Sequence, residues 1–378
     1  MEWIEIEVRD GCVAAVRAGG EAATDVWLTA GLVDLQVNGY GGIDLNDAAC
    51  DAAAVERLTR MLAASGTTTF LPTIITASQE AMAARLRTIV EARREYADAA
   101  HAVPSIHLEG PSISPLDGYR GAHTYGDVRT PSLAEFEALQ DAADGLIGVV
   151  TLSPHWAGSA EFICALRERG VVVALGHTHA TPEQIRAAVD AGAQLSTHLG
   201  NGIAAELARH PNPIWTQLAE DRLTATLIAD GVHLPAETLR VMLRAKGAGR
   251  AVLVSDSVGL AGSPPGQYRT PVGGVVLVGE DGSIRMSESG LLAGSGIALK
   301  DAVARVAALQ GCGLGDAIRM ATANPGRFVS GERGRLTVGA PADLLMFRWA
   351  PGMTTLEIVE VLMQGRSMLG QDQDSNAD

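Results

Sequence analysis

The chain has 378 residues, 47% hydrophobic and 19% charged, which excludes a disordered tail, a collagen-like fibre and a small disulfide scaffold. Lys and Arg number 29 against 44 Asp and Glu, a formal charge of −15, and this excess of acid argues against a nucleic-acid partner. The four cysteines (Cys12, Cys50, Cys164 and Cys312) are scattered without a CxxC pair and fit a reducing compartment.

The first segment, MEWIEIEVRDG, alternates apolar and polar residues and does not have the build of a signal peptide. Its fragments WIEIEV and CVAAVRA flank a turn at Arg9-Asp10-Gly11, so residues 1–28 are predicted to be short strands and turns. From Leu28 the pattern changes. The apolar runs GLVDLQV, TTTFLPT, PSIHLE, IGVVTLS, VVVALGH, QLSTH, TATLIAD and AVLVSD begin near residues 31, 67, 104, 147, 171, 194, 224 and 251. They are nearly continuous in apolar character, as parallel strands buried on both faces must be. Helical stretches separate them, among them DAAAVERLTRMLAAS, SQEAMAARLRTIVEARREY and TPEQIRAAVDAG, the last opening on a Thr181-Pro182 cap. No run reaches 18 apolar residues, so no membrane span and a cytoplasmic location are expected.

Eight β/α alternations over roughly 225 residues predict a (β/α)8 TIM-type barrel. A doubly wound open sheet is the competitor, but the glycine-rich Gln36–Gly42 lacks G-x-G-x-x-G spacing and no helix follows at once. After the eighth run comes a Gly/Pro-rich loop, GLAGSPPGQYRTPVGG, then a hairpin VVLVGEDGSIRM turning at Glu280-Asp281-Gly282. Helices are predicted at about 297–310 and 314–323. GERGRLTVGAPADLLMFRW alternates again like strands. The expected organisation is a barrel over residues 29–335 and a small β-sandwich domain formed from both termini, 1–28 with 336–378, ending in a frayed QDQDSNAD tail.

All nine histidines (His101, His107, His123, His155, His177, His179, His198, His210 and His233) fall between positions 101 and 233. His177, His198, Glu109 and Asp256 each end a predicted barrel strand, and in a barrel those ends converge on the active-site face. Two imidazoles and a carboxylate suit a borderline divalent ion such as zinc or iron(II). An ion held by three protein ligands leaves room for a water whose pKa it lowers, and Asp256 can take the proton and pass it on. Singly, each residue has a plainer account: a hydrogen-bonded strand-end His, a Glu capping the next segment, an Asp256-Ser257 helix cap. Four of them at the same end of four strands make the plainer account a coincidence.

The strings HLEGP (His107–Pro111), GAH (Gly121–His123), GHTHAT (Gly176–Thr181), THLGN (Thr197–Asn201), ADGVH (Ala229–His233), LVSDS (Leu253–Ser257), LAGSG (Leu292–Gly296), ATANPGR (Ala321–Arg327) and GRLTVGAPADLLMF (Gly334–Phe347) run in order along nearly the whole chain. Together they resemble the N-acetylglucosamine-6-phosphate deacetylases of the amidohydrolase superfamily. The resemblance implies Glu109, His177 and His198 as metal ligands, the two histidines 198 − 177 = 21 apart, and Asp256 as general acid/base. It further implies His123 as the group polarising the acetyl carbonyl, with His123, Asn201, Gly202, Arg209, His233 and Ser295 as substrate contacts. Many superfamily members carry His-x-His at the end of the first strand and bind a second metal. Here the position reads Gln36-Val37-Asn38, so one ion, zinc foremost, is expected. The family reaches the substrate phosphate with an arginine, often from a neighbouring subunit, in a Gly-Arg-Glu-Pro setting, which here reads Ala208-Arg209-His210-Pro211. A homodimer is therefore expected, and Arg209 has a plainer account as a solvated surface residue. The implied reaction is hydrolysis of the N-acetyl amide of N-acetylglucosamine 6-phosphate. The alternatives are the same chemistry on an unphosphorylated N-acyl sugar or amino acid, hydrolysis of a cyclic amide or urea, and a non-catalytic sugar-binding barrel. His179 is expected to support the ligands or the fold; His101, His107 and His155 are expected to be structural.

Overall fold

In the computed structural model, described over residues 4–20, 25–270 and 274–370, eight parallel strands wind in sequence order around one axis. They are Leu32–Val37, Thr67–Ile75, Ile106–Glu109, Ile147–Leu152, Val172–Leu175, Leu195–Ser196, Thr224–Ile228 and Ala251–Val254, each starting within a few residues of a predicted apolar run. The seam between the eighth strand and the first is laced by Asp256 N–H to the Gln36 carbonyl at 3.0 Å and Asn38 N–H to the Ser257 carbonyl at 2.8 Å. Inside the barrel Val33, Leu35, Leu71, Val149, Ala174, Leu195, Ile228, Val252 and Val254 pack into one cluster, so the interior is filled and leaves the strand ends as the place for a site.

A larger apolar layer lies between the strands and the surrounding helices. Local chemistry sets where those helices begin. Asp51 accepts from Ala54 N–H at the head of Ala52–Ala64, and Thr181 with Gln184 closes a capping box on Pro182–Asp190. Asn212 accepts from Ile214 and Trp215 N–H to start Pro213–Ala219. The helices predicted near 297–310 and 314–323 are Leu299–Ala308 and Leu314–Met320.

Both termini meet in a four-stranded antiparallel sheet ordered Arg366–Ser367, Glu357–Met363, Leu344–Arg348 and Trp27–Ala30. The hairpin Ile4–Arg9/Cys12–Ala18 joins it through Val13 N–H to the Ala340 carbonyl at 2.9 Å. Asp343 ties this sheet to the barrel by accepting from Arg333 at 3.0 Å and lying 2.8 Å from His101 Nε2.

Two local readings are corrected, and one strand is added. GRLTVGA is not strand; the strand begins at Leu344, after a turn that lets Ala340 pair with the N-terminal hairpin. Glu357–Met363 is a strand within the C-terminal segment that the sequence reading leaves unassigned. The loop read through GQYRT holds the strand Gly266–Thr270, which pairs with Gly274–Val278, itself paired with Ile284–Met286. This three-stranded insert closes only on a small cluster of Val276, Val278 and Ile284, too little apolar surface to mark the segment in advance. The QDQDSNAD tail lies outside the described residues.

Candidate metal centre and active site

The strand ends place the chemistry. Glu109 is the last residue of the third barrel strand, while His177, His198 and Asp256 follow the fifth, sixth and eighth by two residues. Those three have positive φ, 47°, 27° and 49°. For a non-glycine residue the left-handed region carries roughly 1–2 kcal/mol of strain. Such strain persists where the surroundings over-determine it, and it concentrates at functional sites.

The three ligand candidates surround one point. His198 Nε2 lies 3.0 Å and His177 Nε2 3.3 Å from Glu109 Oε1, and the three ligand atoms all lie within 4.8 Å of one another. The donor set fits a divalent cation. His177 gives its Nδ1–H to the Tyr119 carbonyl at 2.8 Å, which leaves Nε2 as a lone-pair donor aimed at the centre. Gly202 explains how that ring fits: at φ 60° it lies so close that a Cβ would sit 2.6 Å from His177 Nδ1. These residues can hold a metal ion.

Burial and proximity set the charges around this point. Burial would raise Glu109, but the hydrogen bonds and charges of His177 and His198 outweigh it and hold its carboxyl well below the usual range. His198 is raised, because its bond to Glu109 overcomes burial. His123 is pushed down to about 3 by burial, with His177 beside it, and so stays neutral. Its Nδ1 lies 2.9 Å from Thr76 Oγ1 and its Nε2 4.0 Å from Glu109 Oε2. Asp256 is pushed up to about 6 by burial, opposed by His198 and by the amide of Asn38 and reinforced by the charge of Glu109.

A cavity of about 360 Å3 opens over these groups, within the range of roughly 300–1,000 Å3 that takes small ligands. Asn201, Gly202 and His233 line it together with Glu109, His123, His177, His198 and Asp256, and Val276 and Ile284 of the insert form part of its wall. Two expected substrate contacts stand elsewhere. Arg209 is exposed and off the wall, at the end of a loop that faces solvent in the single chain. Ser295 is buried, its hydroxyl accepts from Ile297 N–H, and its own N–H donates to the Asp256 carbonyl, so it braces the Asp256 backbone.

Several contributors escaped the sequence reading. Asp230 accepts from His233 Nδ1–H at 2.6 Å and from the Val232 and His233 amides, turning the other edge of the ring to the cavity. The signal was present in ADGVH, three residues ahead of the histidine. Gln36 and Asn38 donate to Glu109 and Asp256. Asp34, pushed up to about 7 by burial, accepts from Ser255 and Gln36 N–H beneath the site. Arg285 of the insert is the only Lys or Arg among the described residues that line the cavity. His107 is held between the Leu35 carbonyl and Thr151, His155 pairs with Ser153 and His179 with Ser114, and none of these is among the ligand atoms.

Residues 27–368 match the family model described as the amidohydrolase family. The chain is 31% identical to N-acetylgalactosamine-6-phosphate deacetylase of Escherichia coli O157:H7, over 96% of this chain and 95% of that one. It is 30% identical to N-acetylglucosamine-6-phosphate deacetylase of Bacillus subtilis, over 86% of this chain and 82% of that one. The crystal structure of N-acetyl-D-glucosamine-6-phosphate deacetylase from Mycobacterium smegmatis superposes with a TM-score of 0.85 at 30% identity, covering 96% of this chain and 94% of the other.

Proposed function

The chain belongs to the amidohydrolase family, and from that premise we propose that it removes the acetyl group from an N-acetylhexosamine 6-phosphate, N-acetylglucosamine 6-phosphate foremost. The observation that carries this is the meeting of Glu109, His177 and His198 at one point of the barrel mouth, with Asp256 on the same cavity wall. Glu109, His177 and His198 would hold one divalent ion, zinc foremost, which when bound supplies the positive charge that acidifies water and polarises a carbonyl. Asp256 takes the proton from the attacking water and delivers it to the nitrogen as the C–N bond breaks and the new C–O bond forms. The products are acetate and the free amino sugar phosphate.

His123 donates to the acetyl oxygen. In this reading the Thr76 hydroxyl, 2.9 Å from His123 Nδ1, donates to that nitrogen and not to the Glu109 carbonyl at 3.4 Å, and the imidazole proton sits on Nε2. A neutral ring in that tautomer is a fixed donor for the developing oxyanion. His233, Asn201 and Gly202 contact the sugar, and Arg209 of a second copy of the chain closes on the phosphate as a charged fork.

Because Arg209 stands off the wall of its own chain, a second reading keeps the same chemistry on an unphosphorylated N-acyl substrate. Acetate release decides between them. N-acetylglucosamine 6-phosphate, N-acetylgalactosamine 6-phosphate, the two unphosphorylated sugars and N-acetyl amino acids are compared by kcat/KM. A phosphorylated sugar should lead, and Arg209→Ala should raise its KM. Equal rates with and without phosphate overturn the preferred substrate. No helix of the described residues is long and apolar enough to cross a membrane. The four cysteines are free, which supports a reducing, cytoplasmic setting for the enzyme.

A further inference from the structure

Gln36 lies near the end of the first barrel strand and Asn38 follows its last residue. Both are buried, 2% and 8% exposed. Gln36 Nε2 donates to Glu109 Oε1 at 3.1 Å, the same oxygen that His177 and His198 approach. Asn38 Nδ2 donates to Asp256 Oδ1 at 2.8 Å. An ionised carboxylate can only accept, so the amide must turn its nitrogen towards Asp256. It does so although its own Oδ1 is then buried without a partner among the described residues. Asp256 Oδ2 has no hydrogen-bond partner among the described residues, and Asp256 lines the cavity.

The backbone fixes the second of these contacts. The seam bonds from Asp256 N–H to Gln36 and from Asn38 N–H to Ser257 set residues 38 and 256 side by side where the barrel closes. The chemistry of the amide matters as much as its place. An imidazole here would bind a cation or a proton and so add charge next to both carboxylates. A carboxamide donates one hydrogen bond, does not titrate, and leaves each carboxylate its charge.

We propose that Gln36 and Asn38 are a divided positioning pair: Gln36 orients Glu109 for the metal, and Asn38 anchors Asp256 Oδ1 so that Oδ2 alone carries the transferred proton. The Asn38 half rests on the deacetylase reading; the Gln36 half needs only the ligand set.

The test separates the two halves. Zinc affinity is measured on metal-stripped protein by competition with a chromophoric chelator, and kcat and KM on the best N-acetyl substrate. Gln36→Leu should weaken zinc binding by about 10–100-fold, the usual effect of losing a partner of a metal ligand, and excess zinc should restore turnover. Asn38→Leu should leave zinc affinity and KM unchanged and lower kcat by about 10–100-fold, with no rescue by zinc. Asn38→Ala, which adds no apolar bulk, replaces it where folding fails. Equal defects in both variants, or full activity in the Asn38 variants, overturn the division. Should the wild type hydrolyse no N-acetyl compound, the deacetylase reading fails by itself. The zinc titration then still decides Gln36, and a crystal structure of the Asn38 variant decides Asn38: an Asp256 carboxylate turned from its place supports the anchor, an unmoved one rejects it.

Discussion

Replacing Asp256 with asparagine should abolish turnover while strengthening the metal-free fold, a pair of effects that a purely structural residue would not produce. Asp256 is buried and its pKa is raised to about 6 from 3.8. A carboxyl group raised in this way stabilises the fold while protonated, and that contribution is lost as pH climbs from 3.8 through 6. At pH 7.5 the charged group therefore costs the ion-free protein at most about (6 − 3.8) × 1.36 ≈ 3 kcal/mol. The carboxamide of the Asp256→Asn variant is neutral at every pH and escapes that penalty. It can still accept from Asn38 through its oxygen, but its –NH2 then stands where Oδ2 faced the cavity. Neither neighbour at the ligand point replaces it as a base, because His123 is held near 3 and Glu109 is committed to the two imidazoles. Loss of a positioned acid/base typically lowers the rate by about 10²–10⁴-fold. Three measurements follow: acetate release with zinc present, zinc content, and urea unfolding of the metal-stripped variant and wild type at pH 4 and 7.5. The variant should be inactive and metal-loaded. It should also be more stable at pH 7.5, with the gap closing towards pH 4. Turnover within tenfold of wild type, or a variant less stable than wild type at pH 7.5, refutes the assignment.

Thr76→Val removes the hydroxyl beside His123 Nδ1, and kcat should fall by up to about 10²-fold, short of losing an oxyanion donor outright, with metal content unchanged. An unaltered kcat would assign the donor role elsewhere. Gly202→Ala forces a methyl group against His177 at a φ of 60°, at roughly 1–2 kcal/mol of backbone strain. The displaced ring should lose its bond to the Tyr119 carbonyl, and zinc affinity should drop by about 10-fold or more. Wild-type affinity in that variant would show that the loop yields instead. His198→Ala should lose both metal and activity, since one imidazole and one carboxylate form too open a site. Metal retained at full stoichiometry by elemental analysis would remove His198 from the ligand set.

The barrel was legible because strands buried on both faces cannot alternate, and their apolar runs therefore stand out along the chain at each β/α step. The residue types of the site were legible for a related reason: Glu109, His177, His198 and Asp256 interrupt or end those runs, where a polar side chain has no packing role. Other features depended on contacts that no local pattern encodes. Asn38 and Asp256 lie 218 positions apart and meet only where the barrel closes. Gln36 reaches Glu109 across 73 positions, and Thr76 reaches His123 across 47. The insert strand Gly266–Thr270 is mostly exposed and polar, so only its partner Gly274–Val278 makes it a strand. Composition and periodicity thus determined which elements form and which chemistry they carry, since burial along one segment is a local property. Tertiary structure decided which amide holds which carboxylate, which imidazole edge faces the cavity and which arginine stays outside it. Those are matters of distance and direction between residues far apart in the chain, and they exist only once the strands have closed.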